Sequence, residues 1–256
     1  MDKRKKNEKN ISVVFLLAGF GKRISNLTKN PKCLLKINKE SIIIKNLKLL
    51  KELGIKNVTL VLGYKYKLIK KEISNQKKNF NFFYVYNNNF RKLGNTYSLF
   101  KGLNNTNGKV LVFDGDLIFS KKILKNFLNY GYDSSFLIGK TSIKNVECAK
   151  ALADKKGFIR KTIDKRLIKK SEINKYKFVG EAIGIIKVTN KLRKIMVREL
   201  KKFLKIKNNL PLNWEHFMNE FLKDYNIKYN KTSSSKWIEV DTKKDFIRAK
   251  YLFKNT

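Results

Sequence analysis

Histidine, cysteine and acidic residues are scarce in this 256-residue chain: one, two and 20, against 59 lysines and arginines. The single histidine, His216, falls on a predicted helix among Trp214, Phe217 and Phe221, so it reads as structural and a histidine base is not expected. Cys33 and Cys148 are far apart and match no metal or redox spacing, which makes them reduced core residues of a cytoplasmic protein. No apolar run is long enough to span a bilayer. The basic start, Met1 to Asn10, precedes an apolar segment as in a signal peptide. That segment is short, however, and runs into Gly21-Lys22-Arg23 without a small-residue cleavage site. Residues 1–10 therefore read as a disordered basic tail. With no internal repeat or linker, residues 11–256 read as one domain.

The shortage of acid leaves a net charge of +39. Nucleic-acid binders concentrate arginine and lysine on one face. Here lysines run along the whole chain, and Asn, Ile, Phe and Tyr are abundant too, as an AT-rich coding sequence supplies. The charge is read as compositional, with a dedicated polyanion surface as the alternative. Anionic substrates are attracted in either case.

What is present is organised around Ser12 to Leu35. The apolar run Val13 to Leu17 reads as a buried strand and empties into a loop holding Gly19, Gly21, Lys22 and Arg23. Glycines let backbone N–H groups close on an anion, and the basic side chains would hold a phosphate. A Walker-type loop would need a glycine where Leu16 stands and Ser or Thr at Arg23; a dinucleotide fingerprint would need a glycine at Ile24. Both are excluded.

Downstream, helix and strand patterns alternate: a helix over 41–53, a strand over 57–62, a basic helix over 65–74 and a strand over 80–86. This order implies right-handed crossovers, a mostly parallel central sheet and helices on both faces, an α/β fold whose ligands sit at the carboxyl ends of the strands. A helix over 96–103 points its N-terminus at that site. The strand Lys109 to Phe113 ends in Asp114-Gly115-Asp116, and carboxylates there call for a cation. Short strands follow between Ser134 and Val188 and are read as the outer half of the sheet, forming one side of the pocket. Asn190 is the expected cap of the next helix, Trp214 to Leu222 a further one. The strand Lys236 to Val240 ends in Asp241, beside a capping box over Thr242 to Asp245. Asp116 and Asp241 are the expected Mg²⁺ ligands, a hard ion that prefers carboxylate oxygen. Lys32, with Arg23, would face charge that develops between phosphates.

The pattern L-A-G-x-G-x-R at Leu17 to Arg23, followed by Thr28 and Pro31-Lys32, resembles the signature loop of the nucleotidyltransferase superfamily with a Rossmann-like core. Leu17 stands where members often have alanine. Asn95-Thr96-Tyr97-Ser98-Leu99, Asp114-Gly115-Asp116, Gly180-Glu181-Ala182-Ile183-Gly184 and Glu239-Val240-Asp241 come in the order seen in bacterial CTP:phosphocholine cytidylyltransferases, over about Ser12 to Phe253. The resemblance implies transfer of CMP from CTP to a small phosphorylated acceptor with release of pyrophosphate. It implies a nucleotide site including Leu17, Ala18, Gly19, Gly21, Lys22, Asn95 and Ser98, with Asp116 and Asp241 on the metal. Glu181, Trp214 and Glu215 are the acidic and aromatic candidates for a cationic acceptor, phosphocholine ahead of 2-aminoethylphosphonate. The alternatives are a sugar-1-phosphate nucleotidyltransferase and a non-catalytic nucleic-acid-binding protein. The intact Lys32, Asp116 and Asp241 argue against the latter, and no specific nucleic-acid partner is expected.

Overall fold

The computed structural model describes residues 11–129 and 131–254, with the backbone alone at Lys22. The expected tail, residues 1–10, lies outside the described residues.

Strand β1 (Ile11–Leu17) is buried along its whole length. Its side chains alternate between two cores, as a strand covered on both faces requires: Val13, Phe15 and Leu17 enter one, Val14 and Leu16 the other. It pairs in parallel with β2 (Asn57–Leu62) on one side and with β4 (Lys109–Asp114) on the other, and β2 pairs in parallel with β3 (Asn81–Tyr86).

Helices cover both faces. The first core takes α1 (Ile42–Glu52), α2 (Tyr66–Glu72) and α4 (Lys121–Asn129). The second takes α3 (Asn95–Asn104), α6 (Asn190–Phe203) and α7 (Trp214–Asp224). In α1 the spacing Ile43, Leu47, Leu50 makes one apolar stripe, the Ser41 hydroxyl accepts from the Ile44 amide, and Gly54 at φ +73° ends the run.

Among the described residues the main sheet has nine strands. Beyond β4 its sense changes. The long strand β9 (Lys177–Val188) runs antiparallel to β4 through Ile185–Val188, to β6 (Ser135–Gly139), and to β7 (Lys150–Ala153) through its first half. β8 (Ile159–Ile163) lies outside β7, and β10 (Lys228–Lys231) outside β6. The fold is thus the expected α/β arrangement, with a parallel half and a sheet half of mixed sense attached through β9. A separate antiparallel pair, β5 (Leu117–Phe119) with β11 (Trp237–Glu239), sits beside the carboxyl end of β4 and leads to the last helix, α8 (Lys243–Leu252).

Several local expectations are refined. Thr189, not Asn190, caps α6, because its hydroxyl accepts from the Leu192 amide while Asn190 Oδ1 takes Arg193. A short helix, α5 (Lys170–Lys175), was not anticipated; Glu172 closes its first turn by accepting from the Lys169 amide. The expected capping box forms at Thr242 and Asp245, which leaves Asp241 outside the cap.

Candidate active site

The chain leaves β1 through Gly19 and Gly21 and tightens into a 3₁₀ turn, Lys22–Ile24, that carries Arg23. A second 3₁₀ turn, Lys32–Leu34, follows Pro31 and turns Lys32 back under the loop. Gly21 is needed here twice over: its φ is +69°, and a Cβ on it would lie 2.8 Å from Lys32 Cγ. The glycine therefore makes the passage through which Lys32 reaches the centre.

The centre is a set of alternating charges. Lys32 Nζ donates to Asp116 Oδ2 at 2.9 Å and also to Asp241 Oδ1. Asp241 Oδ2 takes Arg23 Nη2 at 2.5 Å and Lys165 Nζ at 2.9 Å. Burial acts to strip Lys32 of its proton, yet Asp116 and Asp241 outweigh it, so its pKa is raised and it stays cationic. Burial likewise acts to raise Asp241, but Lys32 and Lys165 hold it below the usual carboxylate range.

Asp116 and Asp241 meet because β5 and β11 pair, in the register Ile238 with Ile118 and Glu239 with Leu117, and because the Val240 amide donates to the Asp116 carbonyl at 3.0 Å. Two residues apart on an extended segment, Glu239 and Asp241 share a face. Oxygen atoms of Asp116, Glu239 and Asp241 all lie within 4.8 Å of one another. Burial, then Asp116 and Asp241, push the Glu239 carboxyl well above its ordinary range. Asp116 Oδ1 is buried and finds no partner among the described residues. An all-carboxylate donor set with an unpartnered oxygen fits a hard divalent cation.

The cleft around this centre is lined by Leu17, Ala18, Gly19, Gly21, Arg23, Lys32, Asn95, Ser98, Asp116 and Asp241, among the residues expected for nucleotide and metal. Of Lys22 nothing is described beyond its backbone. Asn95 and Ser98 are partly engaged by the fold: Asn95 Oδ1 accepts from the Trp214 amide at 2.8 Å, and Ser98 Oγ accepts from Asn87 Nδ2 at 3.1 Å.

The acceptor candidates separate. Glu215 lines the same cleft, and burial with the nearby Asp164 pushes its carboxyl up to about 7. Trp214 does not line it. The ring lies in the second core, 3 % exposed and stacked on Phe136, because residues 214, 217, 218, 221 and 222 form the buried stripe of α7. Glu181 lies in an adjoining cavity. His216, on the exposed side of α7, is away from the cleft, and both cysteines are free and buried.

Lys165 and Glu239 also line the cleft and were not anticipated as site residues; Asp114, one of the two carboxylates expected there to meet a cation, lines it too. For Glu239 the two-residue spacing to Asp241 was an available signal. Asp114 is accommodated by a bulge in β9: Gly184 has φ +67°, and a Cβ there would fall 2.6 Å from Asp114 Oδ2. Burial and Glu215 raise the Asp114 carboxyl well above its usual range. Lys165, itself at φ +43°, carried no signal among so many lysines.

Among the described residues no helix is long and apolar enough to cross a membrane. The family model described as Nucleotidyl transferase matches residues 12–149. The choline-phosphate cytidylyltransferase of Streptococcus pneumoniae (strain ATCC BAA-255 / R6) is 28% identical over 119 residues, 46% of this chain and 50% of that protein. The matched part thus spans about half the length of that curated relative. Among solved structures, a CTP:phosphocholine cytidylyltransferase from Streptococcus pneumoniae is similar with a TM-score of 0.75 at 19% identity, over 95% of this chain and 99% of the other. The inositol-1-phosphate CTP transferase from T. maritima is similar with a TM-score of 0.74 at 18% identity, over 97% and 98%. At these identities the structural likeness is one of fold.

Proposed function

This chain belongs to the nucleotidyl transferase family, and we propose that within it the protein is a Mg²⁺-dependent cytidylyltransferase. CMP passes from CTP to a small acceptor of the phosphocholine type, and pyrophosphate leaves. The observation that carries this reading is the placement of Lys32 between Asp116 and Asp241, with Arg23 and Lys165 on the same carboxylate, at the mouth of the glycine loop. CTP is supported by the names of two similar structures, and the acceptor class by the two similar proteins named for choline phosphate.

An acceptor phosphate oxygen attacks the α-phosphorus, and the bond from that phosphorus to the bridging oxygen of the pyrophosphate breaks. The acceptor is already an anion, so no base is required. The glycine loop and Arg23 hold the triphosphate, and Lys32, kept protonated by its carboxylate neighbours, faces the charge that builds between donor and acceptor. Lys165 reaches the Asp241 carboxylate from the loop after β8 and is suited to the acceptor phosphate. Asp116, Asp241 and Glu239 would hold the divalent cation, which supplies charge neutralisation at the α-phosphate. The cytosol, where CTP is made, is the setting this reaction needs.

The test is a panel of CTP, UTP and dTTP against phosphocholine, 2-aminoethylphosphonate and glucose 1-phosphate, read by pyrophosphate release. CTP with phosphocholine is the pair expected to turn over fastest. Clear preference for UTP or dTTP with glucose 1-phosphate would replace this reading with the sugar-phosphate one.

A further inference from the structure

A second cavity, of about 790 Å³, adjoins the reacting centre and shares Arg23, Glu239 and Asp241 with it. Lys140, Lys243, Lys244, Arg248 and Glu147 line it as exposed residues, whereas Glu181 and Trp237 are half-buried in its wall.

Glu181 and Trp237 come from remote parts of the chain and meet at Gly139. Glu181 is the direct cross-strand partner of Gly139 in the β9–β6 ladder, so the two residues present their side-chain positions on one face. Gly139 has no side chain there, and the Trp237 ring fills the place: a Cβ on Gly139 would lie 2.3 Å from Trp237 Cζ2. An aromatic ring is thereby seated beside a carboxylate. On the other flank of Glu181 its partner is Lys150, but that ammonium donates to the Asn145 carbonyl. Among the described residues Glu181 forms no ion pair. Burial raises its carboxyl, and Cys148, Thr141 and, more weakly, Arg248 and Lys150 only partly oppose this. A carboxylate so placed is stabilised by a bound cation.

We infer that this cavity receives the acceptor's head group and that the head group is an ammonium cation, read by the face of Trp237 and the carboxylate of Glu181. The inference rests on the transferase reading above and adds to it the residues that select the acceptor. The phosphate end then reaches back through the shared Arg23 toward Lys165 and Lys32, while the exposed lysines at the rim remain solvated. A trimethylammonium and a primary ammonium share this chemistry, the first depending more on the ring and the second more on the carboxylate.

The chain's two tryptophans make the test direct, because Trp214 is core and Trp237 lines the cavity. In W214F, emission comes from Trp237 alone, and titration with phosphocholine should change it saturably without any turnover. Adding E181Q should weaken that binding roughly 5- to 30-fold. In the otherwise native enzyme, E181Q and W237L should raise KM for phosphocholine by a similar factor and leave KM for CTP unchanged. E181Q covers the case in which W237L melts early, and 2-aminoethylphosphonate should respond to E181Q more than to W237L. Saturable binding sensitive to E181Q upholds the inference even where pyrophosphate release fails, in which case only the transferase reading falls. Turnover of phosphocholine with no emission change, or with KM indifferent to E181Q, would overturn the inference and leave the transferase reading standing. Preference for glucose 1-phosphate would overturn the cationic head group.

Discussion

The two halves of the sheet contribute to the site in different ways. In the parallel half, β1 and β4 run side by side in the same sense, so whatever follows each strand falls at one edge of the sheet. The glycine loop after β1 and the Asp114–Asp116 turn after β4 both line the cleft for that reason. In the other half β9 runs against β4, and it is the middle of the strand, at Ala182 and Gly184, that meets the cleft. Further cleft residues come from the loop after β8, which carries Lys165, from α7, which carries Glu215, and from β11 of the separate two-stranded sheet, which carries Glu239. A motif's position relative to a strand end is therefore informative in a parallel sheet and loses that meaning where the strands alternate in direction.

The severest way to break the comparison is to remove the carboxylates that join the halves. Asp241→Asn and Asp116→Asn should each fold and lose turnover by roughly 10³-fold or more, since several kcal/mol of charge stabilisation at the α-phosphate depends on them. Pyrophosphate release measured across a Mg²⁺ titration checks this, and undiminished wild-type activity in excess chelator would remove the metal from the reading. Next in size is Lys32→Ala, expected to lower kcat by roughly 10²- to 10³-fold with little change in KM. Lys67 and Lys71, exposed on α2, serve as comparison: alanine at either should leave kcat within about twofold, as ordinary for a solvated surface charge.

Lys165→Ala asks whether the second half supplies charge to the reaction. A loss of roughly 10- to 100-fold in kcat/KM, larger for the acceptor than for CTP, is expected from removing one charge-assisted contact. No change would remove Lys165 from the reaction. The smallest effect concerns Glu215 and is read in stability. Its carboxyl is raised by burial from an ordinary 4.5 to about 7, so the folded chain binds this proton more tightly than the unfolded one. That stabilisation is complete below pH 4.5 and is lost as pH rises through about 7. Glu215→Gln should flatten the decline of Tm across this window. Asp241, held low by Lys32 and Lys165, acts with the opposite sign, its contribution being present at neutral pH and lost on acidification.

Patterns carried by neighbours along the chain were legible beforehand. The uniform apolar run of β1, the glycine spacing after it, the Ser41-to-Gly54 boundaries of α1 and the Thr242–Asp245 box each depend on residues a few positions apart, and each formed as read. Lys32 and Arg23 were legible because the turns that deliver them are local. Trp214 shows the limit. Its helical spacing with Phe217, Met218, Phe221 and Leu222 predicts a buried face, but burial against other side chains and burial against a ligand leave the same period in a sequence.

The sequence by itself determined the order of the elements, the sense of the parallel strands, and the charged loops that had to fall at their ends, because those follow from backbone propensity and periodicity within short windows. Only the tertiary structure decided that Asp116 and Asp241 share Lys32, that Lys165 joins them, and that Trp237 rather than Trp214 lines the cavity that holds Glu181. The first and the last of these rest on hydrogen-bond register between remote strands, β5 with β11 and β6 with β9. A one-residue slip in either ladder would turn the same side chains to the opposite face, and nothing within a local window of the chain distinguishes the two registers.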